Sequence, residues 1–229
     1  MIKENLTQIR KTIKATAQSC GRNPDEIRLV AVSKRFPVDH IREAMNADQM
    51  LFGENYLQEA QQKISALGAG PHFHFIGHLQ SNKAKVAAGI FQMIETIDRI
   101  KLATTLERHL ASLGRTMDGL IQINIGREPQ KSGVLPEECS KLLEQLQSLN
   151  HLKIKGLMCI PPHSDDPELS RPHFQAMREL AYHLQRHKLL PQDRAPELSM
   201  GMSDDYLVAI EEGATLIRIG TSIFGERPR

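Results

Sequence analysis

A lysine stands directly behind an apolar run of strand length. Residues 29–32 read LVAV, Ser33 follows, and Lys34 comes next. A partly desolvated lysine has a lowered pKa, and its amine then forms a Schiff base with an aldehyde. Far along the chain two small-residue turns each follow another apolar run: SMGMSDD at 199–205 and RIGTS at 218–222. The first offers hydroxyls at Ser199 and Ser203, and Gly201 lets the backbone approach an anion closely. The second offers Gly220, the Thr221 hydroxyl and a run of backbone N–H groups. Such donors cradle a phosphate without needing a lysine. Arg218 sits inside the otherwise apolar TLIRIG. A buried guanidinium needs an anion or an acceptor beside it, and a structural ion pair would serve as well as a ligand. An amine facing a phosphate cradle suits a ligand that carries both an aldehyde and a phosphate.

These residues meet only if the fold gathers the ends of several strands. Apolar runs at 28–33, 50–52, 72–76, 93–96, 120–124, 155–160, 197–200 and 215–219 read as strands. Helical patterns begin between them near Val38, Tyr56, Ser81, Arg99, Pro136, Arg171 and Asp204. Leu6, Ile9, Ile13 and Ala17 add a helix in front, stopped by Gly21. Near-continuous apolar strands alternating with helices imply a parallel sheet covered by helices. Eight such units predict an α/β fold, a single-domain (β/α)8 TIM barrel with an extra N-terminal helix; an open doubly wound sheet is the alternative. The domain is expected to run over 1–229, with 161–172 as one βα loop and no linker. In such a barrel the site lies at the C-terminal strand ends, and phosphate sites recur after strands seven and eight. Lys34 follows the first predicted strand, Glu54 and Asn55 the second, and the two small-residue turns the seventh and eighth.

Composition removes other classes. Lys and Arg number 29 against 27 Asp and Glu, giving a formal net charge of +2, too near neutral to argue for nucleic acid or an anionic membrane. Aromatics make up 4% and tryptophan is absent, which leaves no stacking platform. Cys20, Cys139 and Cys159 are odd in number and far apart, as expected of a reduced, cytoplasmic protein without a disulfide framework. No run is long enough to span a bilayer, and the N-terminus lacks the apolar core of a secretory signal.

AVSK at 31–34, FGENY at 52–56, HFIGHLQSNK at 74–83, KSG at 131–133, GLM at 156–158, SMGMSDD and RIGTSIFG at 218–225 occur in one order. Together they resemble the pyridoxal phosphate homeostasis protein family, over nearly the whole chain. The resemblance implies a barrel like the N-terminal domain of alanine racemase, of the type III pyridoxal phosphate fold. It implies that Lys34 holds pyridoxal 5′-phosphate as a Schiff base and that Ser199, Gly201, Gly220 and Thr221 hold the phosphate. It also implies that Arg218 faces the pyridine nitrogen and that Asn55 lies near the cofactor. The family's role is cofactor binding and vitamin B6 balance without established turnover. Phe36 and His78 depart from the family pattern.

Three functions fit these residues. The first is a non-catalytic pyridoxal phosphate carrier, a monomer in the cytoplasm, with apo-enzymes as possible recipients. The second is an amino-acid racemase, which needs a second acid/base besides Lys34; Tyr56 and Tyr206 are the tyrosines that follow strands. The third is a sugar-phosphate enzyme using Lys34 as an aldolase-type lysine. His72, His74 and His78 imitate a metal cluster, but no carboxylate accompanies them in sequence. His183 and His187 have the spacing of one solvated helix face.

Overall fold

The computed structural model describes residues 1–226, so the last three residues of the expected domain lie outside the described residues. Its strands are β1 (Arg28–Val32), β2 (Leu51–Glu54), β3 (His72–Phe75), β4 (Met93–Ile97), β5 (Met117–Ile123), β6 (Leu152–Cys159), β7 (Glu197–Ser199) and β8 (Leu216–Ile219). They pair in parallel in chain order, and β1 pairs with β8 as well as β2. That last pairing closes the barrel and excludes the open sheet.

Both faces of the strands are buried, which is why their sequences read as continuous apolar runs. Leu29, Ala31, Phe52, Phe73, Phe75, Leu157 and Ile217 face outward and pack with helix residues such as Ile41, Leu102, Leu106 and Phe174. Val30, Met93, Leu120, Met158 and Leu216 fill the barrel interior.

Helices α2 (Val38–Met45), α3 (Leu57–Leu67), α4 (Ala84–Ile90), α5 (Ile100–Leu113), α6 (Cys139–Leu146), α7 (Arg171–Arg186) and α8 (Tyr206–Glu211) follow β1 to β7. Among the described residues, β8 is followed by a single turn, α9 (Thr221–Phe224), inside a stretch read from sequence as a loop. The leading helix α1 (Ile2–Ser19) compensates for it. Its buried stripe Ile2, Leu6, Ile9, Ile13 and Ala17 packs between α8, α9 and α2, where an eighth outer helix would lie. Asn5 donates to the Ile223 carbonyl at 2.9 Å and Arg10 to the Ala47 carbonyl at 2.7 Å, tying it to both ends of the ring.

Ser81 and Pro136 begin 3-10 turns (Ser81–Lys83, Pro136–Glu138) that lead into α4 and α6. Strands β5 and β6 start three residues before the apolar runs that announced them, because their polar first turns pair with each other. Asp118 stands opposite Lys153, and the Lys155 amine lies 3.7 Å from the Asp118 carboxylate. Among the described residues no helix is long and apolar enough to cross a membrane. All three cysteines are unbridged; burial pushes the thiols of Cys139 and Cys159 up to about 12, while Cys20 is exposed.

The early start of β6 is held by one side chain on α5. Glu107 accepts hydrogen bonds from the backbone N–H groups of Asn150, His151 and Leu152 at 2.8–2.9 Å, and the His151 ring lies 2.9 Å away. Burial pushes its carboxyl upward, but His151 and these N–H groups outweigh it and hold the group at about 2. A carboxyl depressed from 4.5 stabilises the fold above that pH, and the contribution is lost as pH falls toward 2. Glu107→Gln is therefore expected to cost roughly 2 kcal/mol at neutral pH, with the gap to the parent narrowing on acidification through pH 4 to 3. Urea unfolding across that range measures it; a gap that stays constant would remove the carboxylate charge as its source.

Candidate functional site

The C-terminal strand ends form the barrel mouth. Lys34 lies there, half-buried, in a turn closed by the Phe36 N–H on the Ser33 carbonyl at 3.1 Å. Phe36 is buried and packs on Phe224 of α9 with ring centroids 5.1 Å apart. The lysine turn and the turn after β8 are thus joined by an aromatic contact.

Register explains why those turns are neighbours. Val30 pairs with Arg218 and Ala31 with Ile219, so Gly220 emerges beside Val32, just before Ser33 and Lys34. A Cβ on Gly220 would lie 3.3 Å from the Val32 carbonyl oxygen, so the two strand ends sit backbone to backbone. Thr221 begins α9, whose first N–H groups have no partner within the helix. After β7, Gly201 has φ +88°, and a Cβ there would stand 2.5 Å from the Ala209 side chain. Its carbonyl accepts from the Arg218 N–H at 3.0 Å, which holds the Gly201 turn against β8.

Beneath these turns a polar chain crosses the barrel interior. Arg218 donates from Nη1 to Ser199 Oγ at 2.6 Å and from Nη2 to the Cys159 carbonyl at 2.8 Å. Ser199 Oγ donates to Glu95 Oε2 at 2.5 Å, and His74 Nδ1 lies 2.7 Å from Glu95 Oε1. All four side chains are buried. Burial pushes the Glu95 carboxyl up, yet His74, Arg218 and Ser199 together hold it below the usual carboxylate range. Glu95 is therefore an anion, and the Arg218 charge is balanced through one hydroxyl. The alternative of a structural partner for Arg218 is realised in this form.

The same chain engages the hydroxyl of Ser199, a residue expected to help hold the phosphate. Its one proton goes to Glu95 and it accepts from Arg218. A hydroxyl so engaged has no hydrogen left for a phosphate oxygen. Gly201, Gly220 and Thr221 remain at the mouth, and Ser203 is half-buried in the same turn as Gly201.

Asn55 follows β2, the neighbour of β1 on the side away from β8. It lines a cavity of about 210 Å³ with Ile76, Gly77, Thr96, Gln122 and Asn124. Asn55 Oδ1 is buried there without a hydrogen-bond partner. Gly77 is required, because a Cβ would stand 2.2 Å from the Asn55 carbonyl oxygen. The KSG segment folds over this cavity. Gln122 donates to the Ser132 carbonyl at 3.1 Å and Asn124 to the Glu128 carbonyl at 2.9 Å, while Lys131 reaches the Pro161 carbonyl at 2.9 Å. His78 is exposed and meets Ser132 at 3.2 Å.

Sequence reading missed Glu95, and it took His74 as one of three histidines that imitate a metal cluster, one of which could line the pocket. The available signal was an acidic residue inside the apolar MIETI, at a position of β4 that alternates into the barrel. His72 and His78 are exposed and away from His74's partner; among the described residues no three potential ligands cluster. His183 and His187 do share an exposed face, with rings 4.2 Å apart. Tyr56 is exposed beneath Arg35, and Tyr206 lies against Thr12 of α1, off the mouth.

The buried chain makes a measurable claim. Glu95→Gln is expected to destabilise the protein by about 3 kcal/mol, the order found when one partner of a buried charge set is removed. Combined with Ser199→Ala, the losses should fall short of their sum by more than about 0.5 kcal/mol, because the groups share one network. A urea double-mutant cycle measures this, and simple additivity would dissolve the network.

Comparison with known proteins agrees with this architecture. A family profile described as alanine racemase, N-terminal domain, matches residues 4–228. The pyridoxal phosphate homeostasis protein of Pasteurella multocida is 42% identical over 229 residues, covering 99% of this chain and 97% of that one. The protein of the same name from Escherichia coli K12 is 43% identical over 233 residues, with 99% and 97% covered. The structure of PipY from Synechococcus elongatus with pyridoxal phosphate bound is 37% identical, with a TM-score of 0.86 over 98% of this chain and 100% of that one. Alanine racemase from Corynebacterium glutamicum, 18% identical at a TM-score of 0.68, shares the fold over 61% of its length. The chain belongs to the pyridoxal phosphate homeostasis protein family, built on the alanine racemase N-terminal barrel.

Proposed function

We propose that this chain, as a member of that family, binds pyridoxal 5′-phosphate across its barrel mouth and serves vitamin B6 homeostasis as a cofactor-holding protein without turnover. The observation that carries the reading is the pairing of β1 with β8. It sets the Lys34 turn beside the Gly220–Thr221 turn, with Arg218 buried two residues before Gly220. The residues fit the cofactor in two further respects. Gly201 leaves backbone bare where a Cβ would collide and Gly220 where one would be tight, and Asn55 offers a buried acceptor without a partner.

The cofactor supplies an aldehyde, which condenses with a lysine amine and releases one water. Lys34 is the amine in this reading. The N–H groups about Gly201, Gly220 and Thr221, with the Thr221 hydroxyl, bind the phosphate. Asn55 orients the ring from the end of β2, on the other side of the Lys34 turn from β8. Arg218 faces the pyridine nitrogen, where a fixed donor disfavours a proton on the ring and so weakens it as an electron sink. Ser199 and Glu95 act through Arg218 by fixing its direction. These properties suit retention of a reactive aldehyde for later delivery to apo-enzymes in the cytoplasm. Neither tyrosine available to the racemase alternative faces the mouth: of those after β2 and β7, Tyr206 is turned to α1 and Tyr56 is exposed under Arg35.

Purified protein mixed with pyridoxal phosphate is expected to develop a visible absorption band. Borohydride reduction should then leave a phosphopyridoxyl group on Lys34, read by peptide mass mapping. Lys34→Ala should abolish the band, and Thr221→Ala should weaken binding by about fivefold, the worth of one hydrogen bond. A colourless parent protein with no adduct on Lys34 would sink the reading and favour the sugar-phosphate alternative. Racemisation of an amino acid by the loaded protein would instead restore the enzyme alternative.

A further inference from the structure

A buried charge cluster outside the barrel wall grips the backbone on both sides of Lys34. Lys63 of α3 is 4% exposed, and its amine makes three hydrogen bonds: to the Ser33 carbonyl at 2.7 Å, Glu54 Oε1 at 2.7 Å and Glu59 Oε1 at 2.6 Å. Glu54 Oε1 also accepts from the Ser33 hydroxyl at 2.6 Å. Glu59 Oε1 also accepts from the Arg35 N–H at 2.5 Å. The Ser33 carbonyl belongs to the peptide unit before Lys34, and the Arg35 N–H to the unit after it. With both planes fixed, the backbone angles of Lys34 are fixed, and with them the direction in which its side chain leaves the chain.

Two costs mark this arrangement as more than packing. Arg35 has φ +64°, a region a residue with a Cβ rarely occupies, and the Glu59 bond to its N–H holds it there. Glu54 is fully buried, and its second oxygen, Oε2, has no partner. Burial pushes the Glu54 carboxyl above its ordinary value even though Lys63 and Ser33 oppose it. A buried ion cluster of this kind is usually replaceable by apolar residues without loss of stability. Its geometry here converges on the two peptide units that flank one lysine.

We propose that Lys63, Glu54 and Glu59 are positioning residues for Lys34, and that their grip on its backbone sets how fast the lysine captures an aldehyde delivered to the mouth. The inference rests on the reading that Lys34 takes the aldehyde of pyridoxal phosphate. A displacement of about 1 Å at a reacting group costs on the order of a hundredfold in rate, so loosening this turn should show in kinetics before it shows in folding.

The test compares two ligands on the full chain: pyridoxal phosphate, and 4-deoxypyridoxine 5′-phosphate, which keeps ring and phosphate but lacks the aldehyde. Glu59→Ala frees the Arg35 N–H at a half-buried position and is the variant least able to harm folding. Lys63→Met with Glu54→Gln removes the buried charges as a neutral set. Both are expected to slow formation of the visible band at least about tenfold, with affinity for the deoxy analogue within about twofold of the parent. Glu59→Gln keeps an acceptor for Arg35 and should recover most of the rate. Hydrogen exchange of the amides of residues 33–36 should quicken in Glu59→Ala without ligand. Equal rates in parent and variants would overturn the proposal, as would equal weakening of both ligands, which marks a merely structural role. A parent that forms no adduct on Lys34 fails earlier, and that result falls on the cofactor reading itself.

Discussion

The parallel pairing of β1 with β8 is the constraint on which the site depends. Without it the chain would have two exposed edges and its first and last loops would lie far apart. With it, Val30 faces Arg218 and the chain's two chemically distinctive turns leave adjacent strands. Because α9 is one turn long, the ring of helices has a gap at the same seam, and α1 fills it. Closure, the leading helix and the Phe36–Phe224 contact therefore act on one place. The site is built where the barrel is sealed.

Sealing brings charge into the interior, and the fold answers on both sides of the wall. Inside, Arg218 is balanced by Glu95 through Ser199, and His74 completes the set. Outside, Lys63 is balanced by Glu54 and Glu59. Each cluster places a cation beside backbone carbonyls at a strand end: Cys159 in the first case, Ser33 in the second. Charged groups here replace the water that would otherwise satisfy those ends. They also direct the residues that face the mouth, which neutral packing would leave to rotamer preference.

The fold was legible because every strand is buried on both faces and so appears as an apolar run. The polar ends of β5 and β6 were not, because Asp118, Lys153 and Lys155 look like loop residues until the partner strand is known. Single-turn α9 hid in a small-residue turn for a related reason: one turn of helix has no period to detect. Of the site, the backbone-driven parts were legible. Gly201 and Gly220 announce close approach by being glycine, and Lys34 announces itself by standing at a strand tip. The bonds of the Ser199 hydroxyl were not legible, because they are defined by what lies across the barrel, and Glu95 is 104 residues away in sequence. Lys63 gave no signal at all: a lysine in the middle of α3 reads as a solvated helix face, and only tertiary packing buries it.

That contrast bears on how the mouth works. Apart from Arg218 on β8, the residues that would touch a ligand sit in turns or at the start of α9, whereas those that orient them sit on strands and helices. Ser199 and Glu95 are on β7 and β4, Glu54 is on β2, and Lys63 and Glu59 are on α3. The turns are thus controlled by rigid elements through short hydrogen bonds to side chain or backbone. A protein that binds one reactive molecule gains from such a mouth. Fixing the amine and the guanidinium in advance lowers the ordering cost of binding. The unpartnered oxygens of Asn55 and Glu54 then have distinct meanings. Asn55 faces the cavity and can be satisfied by a ligand. Glu54 lies in the wall beneath the lysine turn, where no ligand reaches, so its cost is borne permanently. A permanent cost beside the one lysine at the tip of β1 is coherent only if the position of that lysine matters.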